Sequence, residues 1–87
     1  MADLTALAEA LRARKQVTLF YTKVDGTSVT HTGGLYEVRA DSVWLWDTQF
    51  NDNIRKFLPG SIVSFQVLDA DFIPPYPWPI KLFGEVV

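Results

Sequence analysis

The sequence predicts a mainly β fold: one N-terminal helix, about five strands curling into a small barrel, and an extended C-terminal segment. Three observations carry this. Over residues 17–68, β-branched and aromatic residues alternate with polar ones, with breaks at Asp25-Gly26, Arg39-Ala40-Asp41, Asn51-Asp52-Asn53 and Pro59-Gly60. Ahead of that run lies one short apolar stripe at helical spacing. Behind it, residues 70–87 hold four of the five prolines and four of the twelve aromatics.

The helix comes first. Leu4, Leu7, Ala8 and Leu11 share one face, Asp3 stands where an N-cap belongs, and Arg12, Arg14 and Lys15 stand where a helix C-terminus favours cations. A helix this short is marginal alone, so it has to dock, an open end of the barrel being the expected surface. A phosphate patch is the rival reading of the three cations, but charge at a helix C-terminus accounts for them.

The first strand places Val17, Leu19 and Tyr21 on one side and Thr18, Phe20 and Thr22 on the other. Asp25-Gly26 signals a tight hairpin in which both central residues take positive φ. The second strand, about 27–39, contains Gly33-Gly34. The expectation there is a bend serving both sides of the barrel, with Gly34 in the positive-φ region. In the third strand, 42–47, Val43 and Leu45 oppose Trp44 and Trp46. The fourth, 53–58, carries Ile54, Arg55, Lys56 and Phe57. Pro59-Gly60 ends it in one tight turn, and the fifth, 62–68, aligns Val63, Phe65 and Val67.

One helix followed by five such strands is the order of an Sm/SH3-like barrel. The succession of helix, 17–21 strand, Asp-Gly turn, Gly34-Leu35 through Asp41, Trp44 to Asp47 and Ile54 to Ile62 resembles YolD-like proteins. It also looks like the WYL domain, with Trp44-Leu45-Trp46 near that family's aromatic signature and Arg55-Lys56-Phe57 near its Arg-rich strand. Both resemblances cover residues 4–68. Two departures separate the chain from WYL domains: Trp-Leu-Trp is not the signature, and the second strand lacks their arginine and proline. The YolD-like resemblance implies a bacterial or phage accessory protein of DNA damage tolerance acting beside a Y-family polymerase. The WYL resemblance implies a regulatory module sensing a ligand or nucleic acid.

Composition narrows the classes. Eighty-seven residues make one domain with a core only just sufficient, and 48% apolar content is too high for a disordered chain. With no cysteine, neither disulfides nor thiolate metal sites support the fold. The acidic start and interrupted apolar residues do not form a secretory signal, and no apolar run approaches the roughly 20 residues of a membrane span. A cytoplasmic protein without membrane contact is the expectation. Residues 1–68 balance seven Lys/Arg against seven Asp/Glu, whereas 69–87 set Asp69, Asp71 and Glu85 against Lys81. Without a basic excess, any binding of nucleic acid is expected to be weak.

No enzyme signature is present. His31, the single histidine, is read as a solvent-facing strand residue, since no motif links it to a nucleophile. Asp69 and Asp71 are too few for a metal site, and turn chemistry accounts for Asn51-Asp52-Asn53. No catalytic residue, cofactor or metal is expected. The tail, residues 70–87, is read as an extension following a 1–69 domain, docked on its own barrel or on a neighbouring copy. Prolines keep Pro74 to Pro79 out of a helix or a central strand. Tyr76, Trp78 and Phe83 are the candidate partner-binding residues, for a protein partner or a homo-oligomer. Trp44, Trp46, Arg55 and Lys56 are the candidate nucleic-acid face, aromatic platforms beside cations, with packing beneath helix or tail as the alternative.

Overall fold

The structure, a computed structural model, describes residues 3–48, 53–75 and 78–87. One helix, α1 (Leu4–Arg12), leads into the strands β1 (Lys15–Thr22), β2 (Ser28–Val38), β3 (Val43–Asp47), β4 (Asn53–Phe57) and β5 (Ile62–Asp71). A short 3₁₀ turn over Pro59–Ser61 joins β4 to β5, and β6 (Lys81–Leu82) and β7 (Glu85–Val86) form a small C-terminal hairpin. The protein is therefore a mostly antiparallel sheet with one N-terminal helix. The sheet order is β4-β3-β2-β1-β5, and among the described residues no strand pairing joins β4 to β5 to close it. No helix of the described residues is long and apolar enough to cross a membrane.

Asp3 caps α1 through its side chain, accepting from the Thr5 and Ala6 amides. At the other end Arg14 enters the left-handed region, and its guanidinium donates to the Leu11 carbonyl, as expected of a cation at a helix C-terminus. The helix packs against β1 and β2. Its Leu7, Ala8, Ala10 and Leu11 join Val17, Leu19, Leu35, Val38, Val43, Leu45 and Ile62 in one core. A nine-residue helix is too short to persist alone, so this burial is what holds it.

The β1–β2 connection differs from the expected tight hairpin. Only Gly26 has positive φ, the Gly26 amide donates to the Lys23 carbonyl, and Asp25 accepts from the Thr27 amide. This four-residue turn needs one left-handed residue, not two. The Thr27 contact stabilises the Asp25 carboxylate and moves its pKa below the ordinary value.

Gly34 does not have positive φ either. Both glycines of β2 are required by close approach. A Cβ on Gly33 would lie 1.7 Å from the Trp46 carbonyl oxygen, and one on Gly34 would lie 1.9 Å from the Phe72 ring. The irregularity of β2 comes just after them, where its register with β3 shifts between Leu35 and Glu37. β1 pairs with β2 only as far as Gly34, while β3 occupies the other edge of Glu37 and Val38. The edge that β1 vacates is taken by β6, parallel to β2 at those two residues.

β5 continues through Asp71, past the expected end at residue 68 and across the 69/70 division of the chain. Lys15 holds this end: its ammonium lies 2.6 Å from the Asp71 carboxylate, and that hydrogen bond raises the lysine pKa. Beyond β5, Phe72, Ile80 and Leu82 are buried in the core.

Candidate functional site

Alternation along the strands gives the sheet two faces, and each gathers one cluster. The registers Leu35–Leu45, Gly33–Asp47 and Leu45–Arg55 put Leu35, Leu45, Asp47 and Arg55 on the inner face, in phase with His31. Tyr36, Trp44, Trp46 and Lys56 fall on the outer face.

On the inner face Asp47 is fully buried, and its Oδ2 lies 2.6 Å from Nδ1 of His31, whose side chain is 12% exposed. Paired with an ionised carboxylate, Nδ1 is the donor of this bond. Arg55 Nε lies 3.3 Å from the same oxygen. That separation makes an ion pair, but the direction is not that of a hydrogen bond. The buried Nε–H thus has no aligned acceptor among the described residues. A buried carboxylate is tolerated only when charge and hydrogen bonds replace its water, and His31 and Arg55 do so here. The Phe57 ring covers the assembly, its centroid 4.9 Å from both the His31 and Tyr21 rings. Tyr21 is on β1 and Phe57 on β4, with two strands between them in the sheet, so the sheet is curled tightly enough for its distant members to touch. Between them opens a groove of about 410 Å³, lined by Tyr21, Lys23, His31, Arg55, Lys56 and Phe57.

This corrects the reading of His31. It is nearly buried and hydrogen-bonded to Asp47, not solvent-facing. The signal was in the alternation: His31 follows Val29, and Asp47 follows Val43 and Leu45, so two polar residues stood in core phase. Their separation in sequence hid their pairing.

On the outer face Tyr36 and Trp46 are buried beneath the returning tail. Tyr36 meets Phe72 edge-on at 5.4 Å and Trp78 at 5.5 Å, and Trp46 meets Trp78 at 6.5 Å. Phe72 lies flat on the space that Gly34 leaves.

The candidate partner-binding residues are dispersed. Tyr76 lies outside the described residues. Trp78 rests on Tyr36 and Trp46 yet stays 46% exposed. Phe83 projects from the β6–β7 turn, where Phe83 and Gly84 both take positive φ. The expected nucleic-acid face is also divided. Trp44 and Lys56 remain together, with the ammonium 6.0 Å from the ring centroid. Trp46 is covered by the tail, and Arg55 belongs to the opposite face. Among the described residues no group of three or more His, Cys, Asp and Glu side chains is placed to hold a metal ion.

Neither the family models, nor the curated proteins, nor the solved structures compared with this chain give a match.

Proposed function

We propose that the chain is a non-catalytic protein-interaction module, cytoplasmic, built on a small SH3-like barrel. The order β4-β3-β2-β1-β5 and the contact of Tyr21 with Phe57 across the curl support the barrel. The observation that carries the interaction reading is β5. This ten-residue strand pairs with β1 on one side, and its other edge meets no strand among the described residues. Val63 is 64% exposed and Val67 46% exposed. Edge strands of this length are ordinarily shortened, charged or covered, because their open backbone groups recruit further strands. A strand added to β5 would satisfy those groups and cover the two valines. Beside it lies a cavity of about 610 Å³ whose lining includes Phe20, Tyr21, Val29 and Val63, room for the partner's apolar side chains. The partner is a protein strand, from another protein or from a second copy. The resemblance to YolD-like proteins extends this reading to an accessory role in DNA damage tolerance.

Light scattering over a concentration series, with Val63→Lys/Val67→Lys beside wild type, tests the edge. The expected result is a wild-type mass above one chain that returns to one chain in the variant, at an unchanged Tm. A single-chain mass throughout, with a purified partner bound equally by both proteins, overturns the reading.

A further inference from the structure

From the end of the 3₁₀ turn into β5, polar and apolar residues are placed symmetrically about Phe65. Ser61, Ser64, Gln66 and Asp69 are polar, while Ile62, Val63, Phe65, Val67 and Leu68 are apolar, so the pattern reads the same in both directions. Resting on the β5 reading above, we infer that the strand added to β5 is the β5 of a second copy, antiparallel, about a two-fold axis at Phe65.

An isologous contact is made twice, so a two-fold strand pair sets each residue against its mirror position. Val63 then meets Val67 of the second copy, Ser64 meets Gln66, Ser61 meets Asp69, and Phe65 meets Phe65. Apolar residues oppose apolar ones and polar residues oppose polar ones at every place. Other centres lose this match. An axis at Gln66 sets Asp69 against Val63, and one at Ser64 sets Val67 against Ser61. The exposures agree with the register. Val63, Ser64, Gln66 and Val67 are all exposed, whereas Ile62 already belongs to the core. The pairing of β5 with β1 shifts between Ser64 and Ile62, and Val63 is the extra residue, left turned outward. Val67 of the second copy would cover it.

Charge selects the direction. Residues 61–68 contain no Lys, Arg, Asp or Glu, and Asp69 and Asp71 follow at one end. Parallel strands in register would bring the two acidic ends together, in a chain whose net charge is already −2. Antiparallel strands send each acidic end toward the other copy's Pro59–Ser61 turn, which has no charged side chain. Lys15 further offsets Asp71, its ammonium lying 2.6 Å from the carboxylate. A strand pair this short buries less than the roughly 1,200–2,000 Å² of a standard interface, so a Kd of about micromolar order or weaker is expected.

Cross-linking reads the register directly, because the chain has no cysteine. Val63→Cys and Val67→Cys change exposed positions, and a mass tag on one of them distinguishes mixed from self dimers. In the two-fold register their Cβ atoms lie about 4.5–5.5 Å apart across the axis, near disulfide range, while identical positions lie about 14 Å apart. Mild oxidation of the mixture should give at least about tenfold more mixed dimer than either variant gives with itself. Phe65→Cys, on the axis, should cross-link with its own copy. Either variant joining itself as readily as it joins the other overturns the inference, as does a mixture without mixed disulfide; wild-type self-association abolished by Val63→Lys/Val67→Lys would still uphold the β5 reading. A single-chain mass at every concentration also overturns the inference. The β5 reading then stands if a purified partner binds wild type but not Val63→Lys/Val67→Lys, and falls as well if it binds both equally.

Discussion

The two faces of the sheet solve the same packing problem with opposite chemistry. The inner face of β2, β3 and β4 ends in a buried polar cluster, the Asp47–Arg55 ion pair with His31 hydrogen-bonded to it, closed by Phe57. The outer face of the same strands is covered by aromatics, Tyr36 and Trp46 beneath Phe72 and Trp78. The polar cluster is directional and exacting, because each buried charge depends on a particular partner. The aromatic cluster is additive and tolerant, since its members contribute mainly area. A face that must present polar groups to a groove needs the first kind. A face that has only to be covered can use the second.

Gly33 and Gly34 sharpen this contrast most, since consecutive residues point to opposite faces. Gly33→Ala sets a methyl against main chain that cannot swing away, and should cost about 4 kcal/mol, enough to threaten folding of a domain this small. Gly34→Ala displaces a side chain instead. Its cost should be about 3 kcal/mol and should largely disappear when Phe72→Ala is already present. Urea unfolding of the three single variants and of the two glycine–Phe72 double variants checks this. Equal non-additivity of both glycines with Phe72 would break the two-face account.

Asp47→Ala comes next. Arg55 would lose its partner while its Nε stays buried, and His31 would lose its acceptor, so a loss of about 3 kcal/mol is expected in chemical denaturation. A variant as stable as wild type would show that the cluster is held by packing alone.

Trp78→Ala should have the smallest effect. A buried tryptophan costs about 3–5 kcal/mol on truncation, but Trp78 is nearly half exposed and touches its neighbours by ring edges, so about 1–2 kcal/mol is expected. A concentration-independent melt should show it. A larger loss that grows on dilution would place Trp78 in a contact between copies.

Much of the architecture was legible because it depends on local periodicity. The Asp3 cap, the shared side of Val17 and Leu19, and the separation of Trp44 and Trp46 from Val43 and Leu45 follow from spacings of 3.6 and 2. The turn chemistry was read less well: the Asp25-Gly26 connection uses one left-handed residue, and the demand on Gly34 comes from Phe72, thirty-eight residues away. Alternation marks which residues share a face, but what lies over that face is a tertiary fact.

The same division holds for the candidate site. The sequence by itself determined a helix capped by Asp3, strands of mixed apolar and polar phase, a Pro74 to Pro79 stretch that its prolines bar from a helix or a central strand, and a chain without basic excess. Only the tertiary structure decided that Arg55 turns inward while Lys56 turns outward, that His31 meets Asp47, and that Trp46 lies under Trp78. The reason is physical. Periodicity is written in neighbouring residues, whereas pairing across strands depends on register, and Gly33-Gly34 signals an irregularity in β2 without saying that the register slips by one residue between Leu35 and Glu37.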